Sequence, residues 1–493
     1  MADGKNPLTG MDHPDPDVIR VGDTYYMICT TMHFFPGGEI LRSRDLINWE
    51  LCSYVFDRLE DTPGETLEDG DIYGHGMWAA SLRYHGGKFY VVFIAHEWDR
   101  TFLFTADSIE GPWKKSYIEG IYHDPSLLFD DDGRVYIVYG NRDIRLTELN
   151  DDLSVPKPGG LDRIIVRDAP GCMLGYEGSH IYKLGQRYLL FLIHSKQQEW
   201  YRTQACFMTE DLNGVWAGGD VMCDDLDGLH SGPAQGGIVD TPDGRWFSVV
   251  FQDRGAIGRV PVLVPVSFNA AGYPVFGKVT QDITNAGTRP ETPCGELWCS
   301  DDFTSPKLGK LWQFNHEPRE GCFETGSGAY IITTDKLSPT LLHARNTITQ
   351  RTVLPCCAAE VTLDASRLND GDVAGLCLLI GSYGLAGIAN EGGRLFLVMK
   401  SKDPGSDAEA ERERLPAAAD SLRLRAEVRF EGMTGEVRFS VQDGSAWSPV
   451  GTPHKFVFSL DHFTGARFGL FMYSTGQTGG SAAFSEFRYL PYV

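Results

Sequence analysis

The segment DPDVIRVGDTYYMI at residues 15–28 carries a pattern that returns four more times along the chain. Each copy has a short apolar run, a turn that contains Gly or Asp, and a second run rich in Tyr, Phe, Val and Ile, which is typical of a β-hairpin. The copies start about 45 to 64 residues apart, a spacing suited to one four-stranded propeller blade per copy. The sequence therefore predicts a five-bladed β-propeller. The other copies are AASLRYHGGKFYVV from Ala79, DPSLLFDDDGRVYIV from Asp124, EGSHIYKLGQRYLL from Glu177 and QGGIVDTPDGRWFSVV from Gln235.

Three of these copies begin with a carboxylate, at Asp15, Asp124 and Glu177. Radial stacking of the blades brings the first residue of each copy to one central funnel, so we expect the three acids to meet there. Taken singly, each residue has an ordinary structural explanation, because Asp-Pro is a common turn dipeptide and a Glu at a strand start is usually solvated. The shared phase of the three carboxylates favours a catalytic site instead.

Carboxyl groups in such a funnel have a well-defined chemistry, because two of them on either side of an anomeric carbon are sufficient for glycoside hydrolysis. We predict that Glu177, which has glycines one residue after it and two residues before it, is the general acid. Asp15 lies between two prolines, which stiffen its position and suit a general base. A neighbouring negative charge keeps a proton on an acid, so Asp124 is predicted to raise the pKa of Glu177 and to orient it.

Several other side chains are predicted to contact a sugar in the funnel. A pyranose presents C–H faces to aromatic rings and hydroxyls to polar groups. Trp78 immediately precedes the second copy, and Phe34 and Phe35 lie in the loop after the first hairpin. Arg259 follows the fifth hairpin, and Gln235 begins it. For Trp78 the alternative, that it packs between two blades, has equal weight.

The length of 493 residues predicts two domains. Pro and polar residues cluster near residue 290, so we predict a propeller over residues 1–290 and a second domain over residues 291–493. The second part contains at least eight apolar runs of irregular spacing, which predict an antiparallel, concanavalin-like β-sandwich. Its charged segment at residues 401–420 is predicted to be a solvated loop.

Composition excludes some classes of partner. The net charge is −23, which argues against binding to nucleic acid or to an anionic membrane.

Eleven cysteines, an odd number with two adjacent, indicate reduced thiols that pack as small apolar groups. The N-terminus has no export signal, so we expect a cytoplasmic protein, although a leader removed before residue 1 would leave the same sequence and secretion stays open.

Five segments together resemble the motifs of glycoside hydrolase family 43, the five-bladed propeller enzymes that act on xylan and arabinan. The resemblance implies that Asp15 is the general base, Asp124 the residue that tunes the pKa of the acid, Glu177 the general acid and Arg259 a substrate contact. The region from DDFTSPKLGKLWQFNHEP to DGDVAGL resembles the β-sandwich appended to the β-xylosidases and α-L-arabinofuranosidases of that family. The five segments are NPLTGMDHPDPDVIRVGDTYYM, GMWAASLRYHGGKFYVVF, HDPSLLFDDDGRVYIVYG, GYEGSHIYK and GRVPVLVPV.

This resemblance implies an inverting, exo-acting hydrolase that releases terminal β-D-xylose, α-L-arabinofuranose or both from xylo-oligosaccharides or arabinoxylan. Inversion requires the carboxyl groups of Asp15 and Glu177 to stand roughly 6.5 to 9.5 Å apart. Two alternatives are a carbohydrate-binding propeller without catalysis and an endo-acting arabinanase, which would need an open cleft.

The resemblance also bears on cofactors and assembly. The chemistry needs no cofactor. Many members have a histidine at the start of the fifth copy, often beside a calcium ion, whereas this chain has Gln235. A Ca²⁺ on the propeller axis, held mainly by waters, is compatible with the sequence. So is a homo-oligomer, because the sequence does not fix the oligomeric state.

Overall fold

The structure, a computed structural model, describes residues 4–95, 98, 100–168, 171–283, 294–406 and 408–492. Strands form nearly all of its regular structure, and the described residues contain only two short 3₁₀ helices, Gly255–Ile257 and Leu341–His343. Across these ranges, no helix is long and apolar enough to cross a membrane. All eleven cysteines are described and none forms a disulfide. The prediction of an all-β chain is confirmed.

Five antiparallel sheets of four strands each follow one another along the described chain and form the blades of the predicted propeller. The first two strands of each blade correspond to one of the five predicted hairpins. Their strands are Asp17–Val21, Thr24–Cys29, Gly37–Ser43 and Trp49–Phe56 in blade 1; Ser81–His85, Lys88–Ile94, Arg100–Ala106 and Lys114–Glu119 in blade 2; Ser126–Phe129, Val135–Tyr139, Asp143–Leu149 and Asp162–Arg167 in blade 3; Glu177–Leu184, Arg187–Ser195, Arg202–Thr209 and Ala217–Met222 in blade 4; and Ile238–Asp240, Trp246–Asp253, Arg259–Phe268 and Pro274–Phe276 in blade 5.

The first strand of each blade lies nearest the axis, where first strands of neighbouring blades contact one another. The first hairpin shows how the local sequence sets the register, because Val21 pairs with Thr24 across a two-residue turn. Gly22 occupies that turn with a φ of 61°, a conformation that glycine adopts without strain. The ring is closed by the two-residue strand Gly4–Lys5, which pairs with Asp282–Ile283 after blade 5.

A polar network joins the innermost strands of four blades. The buried carboxylate of Asp17 in blade 1 accepts a bond from Arg83 Nη1 at 2.7 Å and lies 3.1 Å from His180 Nδ1 in blade 4. Arg83, in blade 2, also donates from Nη2 to Ser126 Oγ in blade 3 at 2.7 Å. Burial alone would raise the pKa of Asp17, but Arg83 and His180 more than offset it and hold the pKa below its usual range. This axial network therefore ties four blades together.

The second part of the chain forms two packed antiparallel sheets, as predicted, and the eight strands predicted from sequence are all present. The apolar side chains between the sheets form the largest buried cluster in the described residues. One sheet contains, in spatial order, Glu409–Pro416, Arg394–Lys402, Gly384–Glu391, Asp372–Leu379, Arg467–Ser474, Ile348–Arg351, Gln313–Asn315 and the propeller segment Phe34–Phe35. The other contains Phe323–Gly326, Ala329–Thr333, Ser481–Pro491, Cys356–Arg367, Ser421–Glu431, Thr434–Asp443 and Ala446–Val457.

Two details differ from, or lie outside, the sequence-based expectations. Residues 401–420 do not form a loop throughout, because Glu409–Pro416 is a strand at the edge of a sheet. Its many charged residues are typical of an edge strand, where they oppose pairing with another chain, and they obscured the strand in the sequence. The predicted domain boundary at residues 290 and 291 lies outside the described residues.

The sandwich and the propeller share hydrogen bonds and buried charges. Phe34–Phe35 of blade 1 pairs antiparallel with Gln313–Asn315 of the sandwich. Arg351 of the sandwich donates from Nε to the carbonyl of Asp12 at 2.7 Å and from Nη1 to Glu39 Oε1 at 2.9 Å. All three of these side chains are buried, so the partnered charges satisfy groups that would be costly to desolvate alone. These contacts hold the two domains in one arrangement.

Candidate active site

One cavity lies at the propeller axis, and the three carboxylates at the starts of the repeats all line it. Trp78, Gln235 and Arg259 line the same cavity. The structure thus brings together six of the eight residues that the sequence singled out. The other side chains on its wall are Met32, Ala79, His123, Leu174, Trp200, Arg202, Leu460 and Phe463.

Asp15 is held on both of its carboxylate oxygens. Thr30 Oγ1 donates to Oδ2 at 2.7 Å, and Arg259 Nη1 donates to Oδ1 at 2.7 Å. The Asp15 side chain is 5% exposed, so the ion pair with Arg259 is well shielded from solvent. Asp15 is therefore a fixed carboxylate with a permanent cation beside it.

The backbone at the blade starts has an unusual conformation. The φ angles are 53° at Asp15, 45° at Asp124 and 58° at Gln235, all in the left-handed region that residues other than glycine seldom occupy. Three of the five blades therefore turn into their first strand in the same way. Local strain of this kind concentrates at functional sites, where the surrounding structure holds it in place. Here it accompanies the three side chains at the wall of the cavity.

Asp124 and His123 form a charged pair next to Glu177. The pKa of Asp124 is raised to about 6, mainly by burial and also by the charges of Glu177 and Asp15, whereas His123 acts to lower it. Burial alone would lower the pKa of His123, but Asp124 and Glu177 raise it to about 9. The His123 Nε2 atom lies 3.7 Å from Asp124 Oδ1 and 3.5 Å from Glu177 Oε2. The two shifts favour an imidazolium at His123 beside a carboxylate at Asp124 near neutral pH.

Glu177 is the most accessible of the three acids, with 16% of its side chain exposed. Its Oε2 accepts a hydrogen bond from Asn141 Nδ2 at 2.5 Å. The next residue, Gly178, has a φ of 64° and donates its N–H to Asp124 Oδ2 at 3.0 Å. A Cβ on Gly178 would lie 2.7 Å from Gln235 Cγ, so a side chain there would collide with the cavity wall. The positive φ and the crowding by Gln235 together favour glycine at the position after Glu177.

The sandwich contributes an aromatic wall to the cavity. The Phe463 ring stacks on Trp78 at 5.7 Å with an interplanar angle of 15°, and the Arg259 guanidinium lies 3.9 Å from the centre of the Phe463 ring. Leu460 lines the cavity from the same loop and is 67% exposed. Sequence reasoning missed both residues, because nothing local to them marks a loop that reaches a different domain. It also missed His123, although its position beside Asp124 was a usable signal.

Phe34 and Phe35 do not line the cavity. Both are 1% exposed, in the strand that pairs with the sandwich. The Arg467 guanidinium lies 3.6 Å from the centre of the Phe34 ring. Phe35 packs in the apolar cluster of blades 1 and 2. Their position differs from the expected sugar contact because the loop after the first hairpin turns towards the sandwich rather than the funnel. Phe34 packs with the sandwich, and Phe35 packs between blades 1 and 2.

The side chains present do not suit a calcium ion on the axis. The Asp17 carboxylate already accepts a bond from Arg83, whose positive charge would repel a second cation. Among the described residues, His123, Asp124 and Glu177 form the one group of His, Cys, Asp and Glu side chains whose ligand atoms lie within 4.8 Å of one another. An imidazole in that set is a poor match for Ca²⁺, which takes oxygen ligands.

Family models match both domains of this chain, and characterised proteins resemble it over much of its length. Residues 4–274 match the model of glycosyl hydrolases family 43, and residues 300–490 match that of the β-xylosidase C-terminal concanavalin A-like domain. A β-xylosidase of Formosa agariphila is 25% identical over 98% of this chain and 90% of its own length. A non-reducing end α-L-arabinofuranosidase of Bacteroides ovatus is 29% identical over 64% of this chain and 61% of its own.

A solved structure, described as a bifunctional GH43-CE of Bacteroides eggerthii, superposes with a TM-score of 0.92 at 36% identity. It is matched over 99% of this chain, which spans 64% of the length of that protein. The two family models together cover most of the sequence, and the propeller model alone covers more than half. The chain therefore belongs to glycosyl hydrolase family 43 and is a glycoside hydrolase.

Proposed function

We propose that this hydrolase is an inverting, exo-acting enzyme that removes terminal β-D-xylose, α-L-arabinofuranose or both from xylo-oligosaccharides or arabinoxylan. The observation that carries the proposal is the convergence of Asp15, Asp124 and Glu177 on one cavity with Arg259. Relatives named as a β-xylosidase and as an arabinofuranosidase support the two sugars. Phe463 and Leu460 wall one side of the cavity, which favours release of a terminal sugar over the open cleft of an endo-acting arabinanase.

The proposed roles follow from the surroundings of each acid. Asp15 is the general base, because hydrogen bonds from Thr30 and Arg259 to its two carboxylate oxygens fix its direction. Glu177 is the general acid, because it is the most accessible of the three and has the Asp124 carboxylate as a neighbour. Asp124 is assigned to position the acid, because its Oδ2 accepts a hydrogen bond from the N–H of Gly178, the residue after Glu177. A carboxylate in this place is also the kind of neighbour that tunes the pKa of a general acid.

In one turnover, a water attacks the anomeric carbon on one face of the sugar and gives its proton to Asp15. The bond between the anomeric carbon and the leaving oxygen breaks on the opposite face, and that oxygen takes the proton of Glu177. The product sugar has the opposite anomeric configuration, and proton exchange with solvent restores both carboxyl groups.

Product analysis by ¹H NMR tests the proposal directly. We expect xylobiose or 4-nitrophenyl β-D-xyloside to release α-xylose first, with β-xylose appearing only by mutarotation, because Asp15 delivers a water rather than attacking the sugar itself. The matching α-L-arabinofuranoside should release the β anomer. Release of the original anomer would contradict inversion, and the absence of any hydrolysis of either glycoside would contradict the proposed specificity.

The pH dependence of activity should report the Asp124 and His123 pair. We expect kcat/KM to fall below about pH 6, where Asp124 takes up a proton and loses its negative charge. In His123→Asn the cation that lowers the Asp124 pKa is gone, so the acidic limb should move upwards by about one pH unit. Profiles of kcat/KM from pH 4 to 10 measure this limb in wild type and in His123→Asn. An acidic limb at the same pH in the two proteins would show that Asp124 does not control it.

Removal of metal ions should leave the activity unchanged. Because the residues on the axis and around the acids do not suit calcium, we expect kcat/KM after dialysis against EDTA to stay within about twofold of the untreated enzyme. Added Ca²⁺ should likewise have no effect. A loss of kcat/KM of more than tenfold that added Ca²⁺ reverses would contradict the conclusion that the axis does not suit calcium.

A further inference from the structure

A second cavity adjoins the active-site cavity, on the side of blades 4 and 5 and the sandwich. The two cavities share Trp200, Arg202 and Leu460 on their walls. Any group attached to a sugar in the first cavity and directed towards these three residues enters the second. The second cavity is therefore placed to receive part of the same substrate.

The second cavity is lined mainly by apolar side chains that face solvent. Of the eleven large apolar side chains exposed in the described residues, four line it: Met173, Trp200, Met433 and Leu460. Soluble proteins seldom gather exposed apolar groups around one cavity without a binding role. Its two charged side chains, Arg202 and Asp253, are paired with each other, which leaves the apolar surface dominant.

The apolar wall on the sandwich side is held in place by main-chain contacts. Met433 lies at the hairpin turn after Ser421–Glu431, and its carbonyl accepts a hydrogen bond from Ala256 N–H of the propeller at 3.0 Å. Gly255 has a φ of 62°, and a Cβ there would lie 2.0 Å from the Met433 carbonyl oxygen. The close approach requires glycine, so the position of Met433 is built into the domain contact.

We propose that the second cavity binds an aromatic group on the leaving-group side of the substrate, such as an aryl aglycone or an aromatic acyl substituent of the next sugar. An indole face and two methionine thioethers suit an aromatic ring. The other polar side chains on the wall are His230, Ser231 and Thr434, and seven apolar side chains outnumber them, so an aromatic ring finds more contacts there than sugar hydroxyls do. The inference rests on the proposed function, because a leaving group exists only if the glycosidic bond is cleaved.

The test compares methyl and 2-phenylethyl glycosides of the sugar that the enzyme prefers. Both leave as alcohols of similar acidity, so a difference reports binding of the ring rather than chemistry. We expect kcat/KM to be at least about tenfold higher for the 2-phenylethyl glycoside. In Met433→Lys and in Met173→Lys this preference should fall to about twofold or less, while turnover of the methyl glycoside stays within about twofold of wild type.

Leu415→Lys is the matched control, because Leu415 is 45% exposed on the edge strand of the sandwich and does not line the cavity. It should keep the full preference. The two methionines belong to different domains, so a folding defect in one variant leaves the other to decide. An equal kcat/KM for the two glycosides in wild type, or a preference that survives both substitutions, would overturn the inference. Failure to hydrolyse any glycoside would instead overturn the proposed function.

Discussion

Glu177→Ala should lower kcat/KM on xylobiose by about a thousandfold, yet retain far more activity on 2,4-dinitrophenyl β-D-xyloside. A general acid contributes about 10² to 10⁴ in rate when the leaving group needs a proton. A dinitrophenolate leaves without one, so the loss of the acid matters little for that substrate. Steady-state kinetics on the two substrates measure the difference.

Asp15→Ala should show the opposite dependence. Without a base to activate the attacking water, both substrates should lose activity by about a thousandfold or more, whatever the leaving group. Asp132→Ala is the matched control, because Asp132 is an exposed carboxylate in the turn of the third repeat and should change kcat/KM less than twofold. Equal losses on the two substrates in Glu177→Ala would assign the acid to another residue, and full turnover in Asp15→Ala would remove it from the mechanism.

Arg83→Met should be the most destabilising single substitution in the propeller axis. It leaves the Asp17 carboxylate buried without its cation, and breaking one side of a buried ion pair typically costs about 3 to 5 kcal/mol of the free energy of unfolding. The substitution also removes the hydrogen bond to Ser126 that ties blade 3 to blade 2. Midpoints of thermal and urea unfolding would measure the effect.

The free energy of unfolding that Arg83→Met loses should depend on pH. The pKa of Asp17 is depressed in the folded protein, so its stabilising contribution is present above the unfolded pKa near 4 and is lost as the pH falls through the folded pKa. The gap between Arg83→Met and wild type should therefore keep its full size from pH 7 down to about pH 4 and shrink as the pH falls further. Arg167→Met is the control, because the exposed pair of Arg167 and Asp143 should be worth less than about 1 kcal/mol. A loss no larger than this control would show that the axial network does not stabilise the ring.

The repeated architecture was predictable because its signals are local. Alternation of apolar residues and a glycine turn such as the one at Gly22 identify a hairpin without knowledge of the rest of the chain. Repetition then fixes the number of blades, and the phase of Asp15, Asp124 and Glu177 within the repeat places them at one axis. The alternation in Glu409–Pro416 was obscured by charge, so that strand could not be told from a loop.

The parts of the site that depend on contacts between domains were not predictable. Phe463 and Leu460 reach the cavity from a loop of the sandwich, and Phe34 packs into the sandwich although it lies in blade 1. No sequence pattern encodes which surface of one domain faces which surface of another. The pairing of Asp17 with Arg83 could not be predicted either, because in the sequence each residue resembles an ordinary charge at the end of a strand.

The position of Phe463 shows that the two domains contribute different parts of the active site. The acids that break the bond are encoded in the propeller, whereas one face of the chamber around them is encoded hundreds of positions later, in a module with no acid in the chamber. Mutations in that module can reshape which sugars fit without replacing any of the three acids. Loss of the appended module would leave the acids in place but remove the wall that Phe463 and Leu460 place between them and bulk water.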